Sequence, residues 1–240
     1  MASVNEPNTG GVLAVMQPSF LPWAGYFNLI AQADNFVFLD DVQLAKQSWQ
    51  TRNRILVSGQ VHWVSLPIRN VGLSQSLAKT EVIADARWLA KMESSFQQNY
   101  GRHPYFEDAR EVLSRLRNDG RRQLAELNED IIRFVADRLD LSPNFSRASA
   151  LHVDGARTNR LVALCEYFEA TEYLSPFGAS DYLAEDGFEA QAKAALRLQQ
   201  YAPANYRQAG REDFVPYLSI VDVLANLGWA GTRKYVCQEN

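Results

Sequence analysis

Between Val12 and Leu39 the sequence changes hydrophobic period twice, and that change leaves few folds open. Val12 to Met16 is an unbroken apolar run with β-branched residues, the pattern of a strand buried on both faces. Gln17-Pro18 ends it, because a residue before proline is pushed out of the helical region. Pro22 and Gly25 punctuate a loop, Phe27, Ile30 and Ala31 then recur with helical spacing, and Asp34-Asn35 closes that helix before a second apolar strand, Phe36 to Leu39. Strand, loop, helix and strand make a βαβ unit, and such units bind ligands at the carboxyl ends of their strands. Gln17 and the pair Asp40-Asp41 fall at those ends and are expected to face one crevice. The two neighbouring carboxylates suit binding a hydroxyl-rich or cationic group, holding a metal, acting as a general base, or forming a helix cap and turn. In an extended segment they point opposite ways, so one of them faces the site.

The next segment interleaves Lys46, Trp49, Arg52, Asn53 and Arg54 just after Gln43. Guanidinium forks grip phosphate and an indole face stacks on a ring, so the run suits a nucleotide; a solvated, ion-paired loop is the alternative. Ile55 to Val57 and Val61 to Leu66 flank Ser58-Gly59, which predicts a β-hairpin, with Thr80 to Ala84 as a further short strand. From Asp85 the period lengthens: Trp88, Met92, Phe96 and Tyr100 recur every four residues. Two more helices are expected before Leu139, separated by a turn at Asn118-Asp119-Gly120, and the stretch from Leu141 to Ser149 reads as irregular. A helix follows Thr158, Tyr173 to Ser175 is a short strand, and Ser175, Gly178 and Tyr182 repeat the layout of the first motif and are expected to line its crevice. Leu196 and Leu198 mark a half-exposed strand. The last pattern, Phe214 to Gly228, is a helix with Pro216 in its first turn and Gly228 as its cap. Asp222 and Asn226 share one face of it among apolar neighbours, where a carboxylate is costly without partners; it either anchors backbone or an arginine, or serves as a base.

The expected class is therefore α/β, a mainly parallel, Rossmann-like sheet built on the βαβ unit, with a β-hairpin and a helical layer or subdomain at about residues 85–140. The expected organisation is one domain over 12–228 between a disordered start, 1–11, and a C-terminal tail, 229–240. A net charge of −4 argues against nucleic acid as the main partner. The polar start lacks the features of a signal peptide, no run spans a bilayer, and a cytoplasmic protein is expected. Two cysteines and three histidines give no basis for a disulfide framework or a metal site.

Several of these stretches resemble the WbqC-like family: Met16-Gln17-Pro18, Phe20 to Phe27, Asp34 to Gln43, the Trp49 to Arg54 cluster, Tyr173 to Ser175 and the Leu218 to Gly228 helix, in that order. The resemblance implies a bacterial role in lipopolysaccharide O-antigen or related surface-polysaccharide biosynthesis. With the residues, it points to a transferase acting on a nucleotide-linked amino sugar by acyl or aminoacyl transfer. In that reading Asp41 or Asp222 is the base, Lys46, Arg52 and Arg54 hold phosphate, Trp49 or Tyr26 stacks on a ring, and Gln17, Asp40, Gln43, Asn53, Ser175, Gly178, Tyr182 and Asn226 line the substrate. Donor, cofactor and oligomeric state are not specified. Trp23-Ala24-Gly25-Tyr26 is also similar in layout to the H-x-G-H motif of nucleotidylyltransferases and class I aminoacyl-tRNA synthetases, with the glycine matched and both histidines replaced. That likeness implies nucleotidylyl transfer or adenylate formation as the alternative chemistry, and a non-catalytic sugar-nucleotide-binding protein as the alternative to an enzyme.

Overall fold

The computed structural model describes residues 9–69, 75–117, 123–209 and 211–239. The expected turn at Asn118-Asp119-Gly120 and most of the expected disordered start lie outside these residues. In chain order the elements are β1 (Val12–Met16), α1 (Ala24–Gln32), β2 (Asn35–Phe38), β3 (Arg52–Val57), β4 (Gln60–Ser65), α2 (Ala86–Tyr100), α3 (Phe106–Ser114) and α4 (Leu124–Arg138). These are followed by β5 (Asn144–Arg147), α5 (Ala148–Leu151), α6 (Arg157–Tyr167), β6 (Glu172–Ser175), α7 (Ser180–Glu185), α8 (Phe188–Gln191), β7 (Ala195–Leu198) and α9 (Ile220–Cys237). The chain divides into two compact units, and α1 contributes residues to both.

The first unit takes in the described residues of Met1–Gln17, Leu29–Leu39 and Ser142–Tyr201. Its sheet has the order β5-β2-β1-β6-β7, and every neighbouring pair is parallel. Leu13, Val15, Val37, Leu164, Phe168, Tyr173 and Phe188 form much of its core, as expected for strands that read as continuous apolar runs. At the amino end of the sheet, Asp34 Oδ2 accepts from the Val12 N–H at 2.7 Å, and a Cβ on Gly11 would meet that carboxylate oxygen at 2.3 Å. Glycine is required there by close approach.

The segment Leu141 to Ser149 departs from expectation by containing β5. Asn-Phe-Ser-Arg has a single apolar side chain, and all four residues are only half-buried. An edge strand needs little burial, so it carries little hydrophobic signal; β5 is held by its register against β2, with Phe145 stacked on Phe38 at 5.4 Å.

The second unit takes in the described residues of Pro18–Asn28, Asp40–Leu141 and Ala202–Asn240. It holds the antiparallel β3–β4 hairpin, the helices α2, α3 and α4, and α9. Ser58 and Gly59 both have positive φ, at 50° and 74°, the conformation of a two-residue hairpin turn matched to strand twist. Asp85 caps α2 by accepting from the Trp88 N–H at 2.7 Å, and Arg115 grips Asp130 with two nitrogens to join α3 to α4. The expected strand at Thr80 to Ala84 is reduced to isolated bridges, Ile68 with Val82 and Glu81 with Gln123.

Helix α9 starts at Ile220, four residues after Pro216, capped by the Ser219 hydroxyl. Gly228 does interrupt it, with φ 66° and ψ 179°, and a second helical stretch then continues to Cys237. The Asp108 carboxylate accepts from the Trp229 N–H at 3.0 Å and so caps that second stretch. Gly228 sits in a region of backbone space that is essentially glycine's alone, and an added Cβ would lie 2.7 Å from the Tyr105 ring. Gly228→Ala is expected to cost about 1–3 kcal/mol from the backbone alone, measured as a lower urea midpoint. An unchanged midpoint would mean that the kink relaxes freely.

Candidate ligand-binding site

In the second unit the hairpin turn fixes which side chains share a face. With Val57 opposite Gln60, Arg54 lies opposite Trp63 and Arg52 opposite Ser65. Directly opposed residues point to the same side, so Arg52, Arg54 and Trp63 form one row, joined by Trp49 from the preceding loop. The Arg52 guanidinium lies 4.1 Å from the centre of the Trp63 ring and that of Arg54 lies 5.6 Å from Trp49. The two indoles are 5.2 Å apart, and each is nearly half exposed, at 47% for Trp49 and 46% for Trp63.

Arg54 also donates to the carbonyls of Pro216 and Tyr217, at 3.3 and 3.1 Å. Neither arginine has a carboxylate partner among the described residues. The Nε atoms of both, and the Ser48 hydroxyl, are buried and meet no protein hydrogen-bond partner there. Two cations on exposed indoles, with donors left over, suit an anionic ligand that carries a ring.

The loop before α1 is held rigidly beside this row. Asn53, 2% exposed, donates to the Phe20 and Leu21 carbonyls at 3.0 and 2.8 Å and accepts from the Arg54 N–H at 2.8 Å. Asn128, fully buried on α4, donates to the carbonyls of Pro18 and Gln50, at 2.9 and 2.8 Å. Ser219 adds a bond to the Leu21 carbonyl at 2.9 Å. Leu21 is held at φ 43°, a conformation that persists in a leucine only when its surroundings over-determine it. Gly25 has a steric reason: a Cβ there would lie 2.1 Å from the Trp23 indole, which folds back over the helix start and meets Tyr217 edge-on at 4.9 Å. Asn53→Ala is expected to cost about 1–3 kcal/mol for the Phe20 carbonyl, which loses its donor while the Leu21 carbonyl keeps Ser219, read from denaturant midpoints. No loss would show that water replaces the amide.

Asp222 occupies a separate buried network in the same unit. It is fully buried; Tyr100 donates to Oδ1 at 2.8 Å and Tyr206 to Oδ2 at 2.6 Å. Tyr100 in turn accepts from the Leu56 N–H of β3 at 2.8 Å. Gln208 clasps Val215 through both ends of its amide, at 2.9 and 2.8 Å. Burial pushes the Asp222 carboxyl above its ordinary range, and the tyrosine hydroxyls and nearby His103 offset only part of that rise. Asn226 turns back to donate to the Asp222 carbonyl at 2.7 Å.

The other expected residues are placed as follows. Tyr26 is buried, and its hydroxyl is pushed up by burial and by Glu129. Asp40 is buried and Asp41 half-buried; the Asp40 carbonyl accepts from the Ala78 N–H and the Val42 carbonyl from the Leu77 N–H, while Gln43 bridges to Ser76. Gln43 and Lys46 are exposed. In the first unit, β1 lies between β2 and β6, which is the point where the strand order reverses and where ligands of open parallel sheets bind. Gln17 follows β1 and Ser175 ends β6, so both lie at that carboxyl edge. Ser175 is buried and its hydroxyl donates to the Pro176 carbonyl at 3.4 Å, Tyr182 is partly exposed, and nothing lies within 4 Å of a Cβ added to Gly178. Among the described residues no group of three or more His, Cys, Asp or Glu is placed to hold a metal ion.

Trp63 and Asn128 escaped the sequence reading. The two-residue turn at Ser58-Gly59 already implied that Arg54 opposes Trp63, so that partner could have been found by counting back from the turn. Asn128 could not, because a polar residue on a helix gives no sign of which distant carbonyls it meets.

The WbqC-like protein family matches residues 17–234. The chain belongs to that family. This WbqC-like chain is also similar to Uncharacterized protein Rv1507c of Mycobacterium tuberculosis (strain ATCC 25618 / H37Rv), with 28% identity over 219 residues that cover 90% of this chain and 94% of that protein. No solved structure matches the chain. No described helix is long and apolar enough to cross a membrane.

Proposed function

We propose that this WbqC-like protein acts on a nucleotide-activated amino sugar in bacterial lipopolysaccharide O-antigen or related surface-polysaccharide biosynthesis, and transfers an acyl or aminoacyl group to the sugar amine. The observation that supports this most is the pair Arg52 and Arg54, free of carboxylate partners among the described residues and laid on two half-exposed indoles. A diphosphate takes the guanidinium donors while the base stacks on indole. In this reading Asp41 takes the proton that the sugar amine loses as it attacks the acyl carbonyl, and the donor's carrier group leaves. Asp222, enclosed by two tyrosine hydroxyls, reaches a substrate only through Tyr206 or Tyr100. Trp23 and Tyr26, at the positions of the two motif histidines, are engaged in packing, which favours acyl over nucleotidylyl transfer.

The test is a thermal-shift screen against nucleotides, nucleotide-linked amino sugars and acyl donors. A ligand at about a hundredfold its dissociation constant adds roughly 2.7 kcal/mol of stability. A shift by a nucleoside-diphosphate amino sugar, larger than that by the free nucleotide, is the expected result. A shift by ATP alone would replace this reading with nucleotidylyl transfer.

A further inference from the structure

Strand β4, Gln-Val-His-Trp-Val-Ser, pairs with β3 alone among the described residues, leaving its outer edge open. Five of its six residues are exposed, including Val61 at 40% and Trp63 at 46%. Proteins blunt such edges with charges, prolines or bulges, because a row of unpaired N–H and C=O groups templates another strand. Here none of these devices is present. The strand carries no charge and no proline, and its register against β3 runs unbroken from Arg52 opposite Ser65 to Val57 opposite Gln60. A two-stranded sheet is also marginal by itself and gains from added strands.

We infer that β4 pairs antiparallel with the β4 of a second copy of this chain, making a four-stranded sheet across a two-fold axis. An edge strand is complementary to itself in this arrangement, because each copy presents the same alternation of donors and acceptors. An uncharged strand offers nothing to select a charged peptide and does not repel its own copy. The nearest cations on the paired faces, Arg52 and Arg54, sit on β3, one strand further in. They are separated from those of the other copy by three strand spacings, roughly 14 Å, at about 4.8 Å each. That exceeds the Debye length of about 8 Å at physiological salt, so their repulsion is screened. The two-fold axis stands perpendicular to the sheet and keeps the same side of both hairpins in register. Two arginine–tryptophan rows then lie on one face, a surface for an anion longer than either row alone accommodates. One strand pair is small for an interface, so the dimer forms reversibly with concentration.

Sedimentation velocity over about 1–200 µM tests this, with thermal melts and circular dichroism to verify folding. The native chain is expected to move from 27.1 kDa towards twice that mass as concentration rises. Val61→Lys and His62→Lys, which charge opposite faces of the edge and leave the arginine–tryptophan row intact, are expected to stay monomeric. A native chain that remains monomeric throughout, a dimer that survives both substitutions, or assemblies beyond two copies would overturn the proposal. Ligand binding by the monomeric variants is scored separately, so that failure to dimerise and failure to bind nucleotide sugars remain distinguishable.

Discussion

Asp222→Ala is expected to destabilise the protein by about 1–3 kcal/mol for the buried Tyr100 hydroxyl that loses its acceptor, and by less for that of the half-buried Tyr206, as measured by urea unfolding. The carboxylate joins elements far apart in the sequence: Tyr100 at the end of α2, Tyr206 before α9, and, through the Tyr100 oxygen, the backbone of β3 at Leu56. The pH dependence runs opposite to that of a surface carboxylate. Because burial raises the folded-state pKa above its ordinary 3.8, the folded protein holds this proton to higher pH than the unfolded chain does. The group's contribution is therefore most favourable below that ordinary value and declines as pH climbs through the raised folded value. Asp222→Asn removes this titration. The stability of the native chain relative to Asp222→Asn should fall as pH is raised from about 4 towards 7. A relative stability that instead rises with pH would show that the tyrosine donors outweigh burial.

Arg52→Ala is expected to weaken binding of a nucleoside-diphosphate sugar about ten- to a hundredfold, since hydrogen bonds to a charged group contribute about 1.5–3 kcal/mol and each 1.4 kcal/mol is tenfold. Arg52 is the cleaner choice of the two. Arg54 also holds the Pro216 and Tyr217 carbonyls, so its removal perturbs the chain as well as the ligand, whereas among the described residues the Arg52 side chain meets only the Trp63 ring. Titration calorimetry at two salt concentrations separates the possibilities. Loss of affinity and of its salt dependence together supports phosphate recognition at Arg52. Unchanged affinity with an intact melting curve would place the diphosphate elsewhere and leave the arginine–tryptophan row to another ligand.

Much of the architecture was legible in the chain because it rests on local periodicity. The unbroken apolar runs of β1 and β2, the four-residue spacing of Trp88 to Tyr100 and the turn at Ser58-Gly59 specify their elements whatever surrounds them. Strand β5 was hidden because an edge strand with one apolar side chain has almost no period to read. The start of α9 was misplaced because Pro216 suits a first turn, but the chain runs on to Ser219, whose hydroxyl supplies the cap. The kink at Gly228 was half legible: glycine announced a break, but the capping of the continuing helix by Asp108, 121 positions away, did not.

The same division runs through the candidate site. By itself the sequence determined which residue types gather after Asp41 and that a hairpin turns at Ser58-Gly59, from which counting back sets Trp63 opposite Arg54. Only the tertiary structure decided that Asn53 faces inward as a strut, that Tyr26 is buried, that no carboxylate claims the two arginines among the described residues, and that Asp222 is enclosed by tyrosines from two other segments. The physical reason is range. Periodicity and turn chemistry act between residues a few positions apart, whereas burial and hydrogen-bond partnership depend on segments that meet only after the chain has closed on itself.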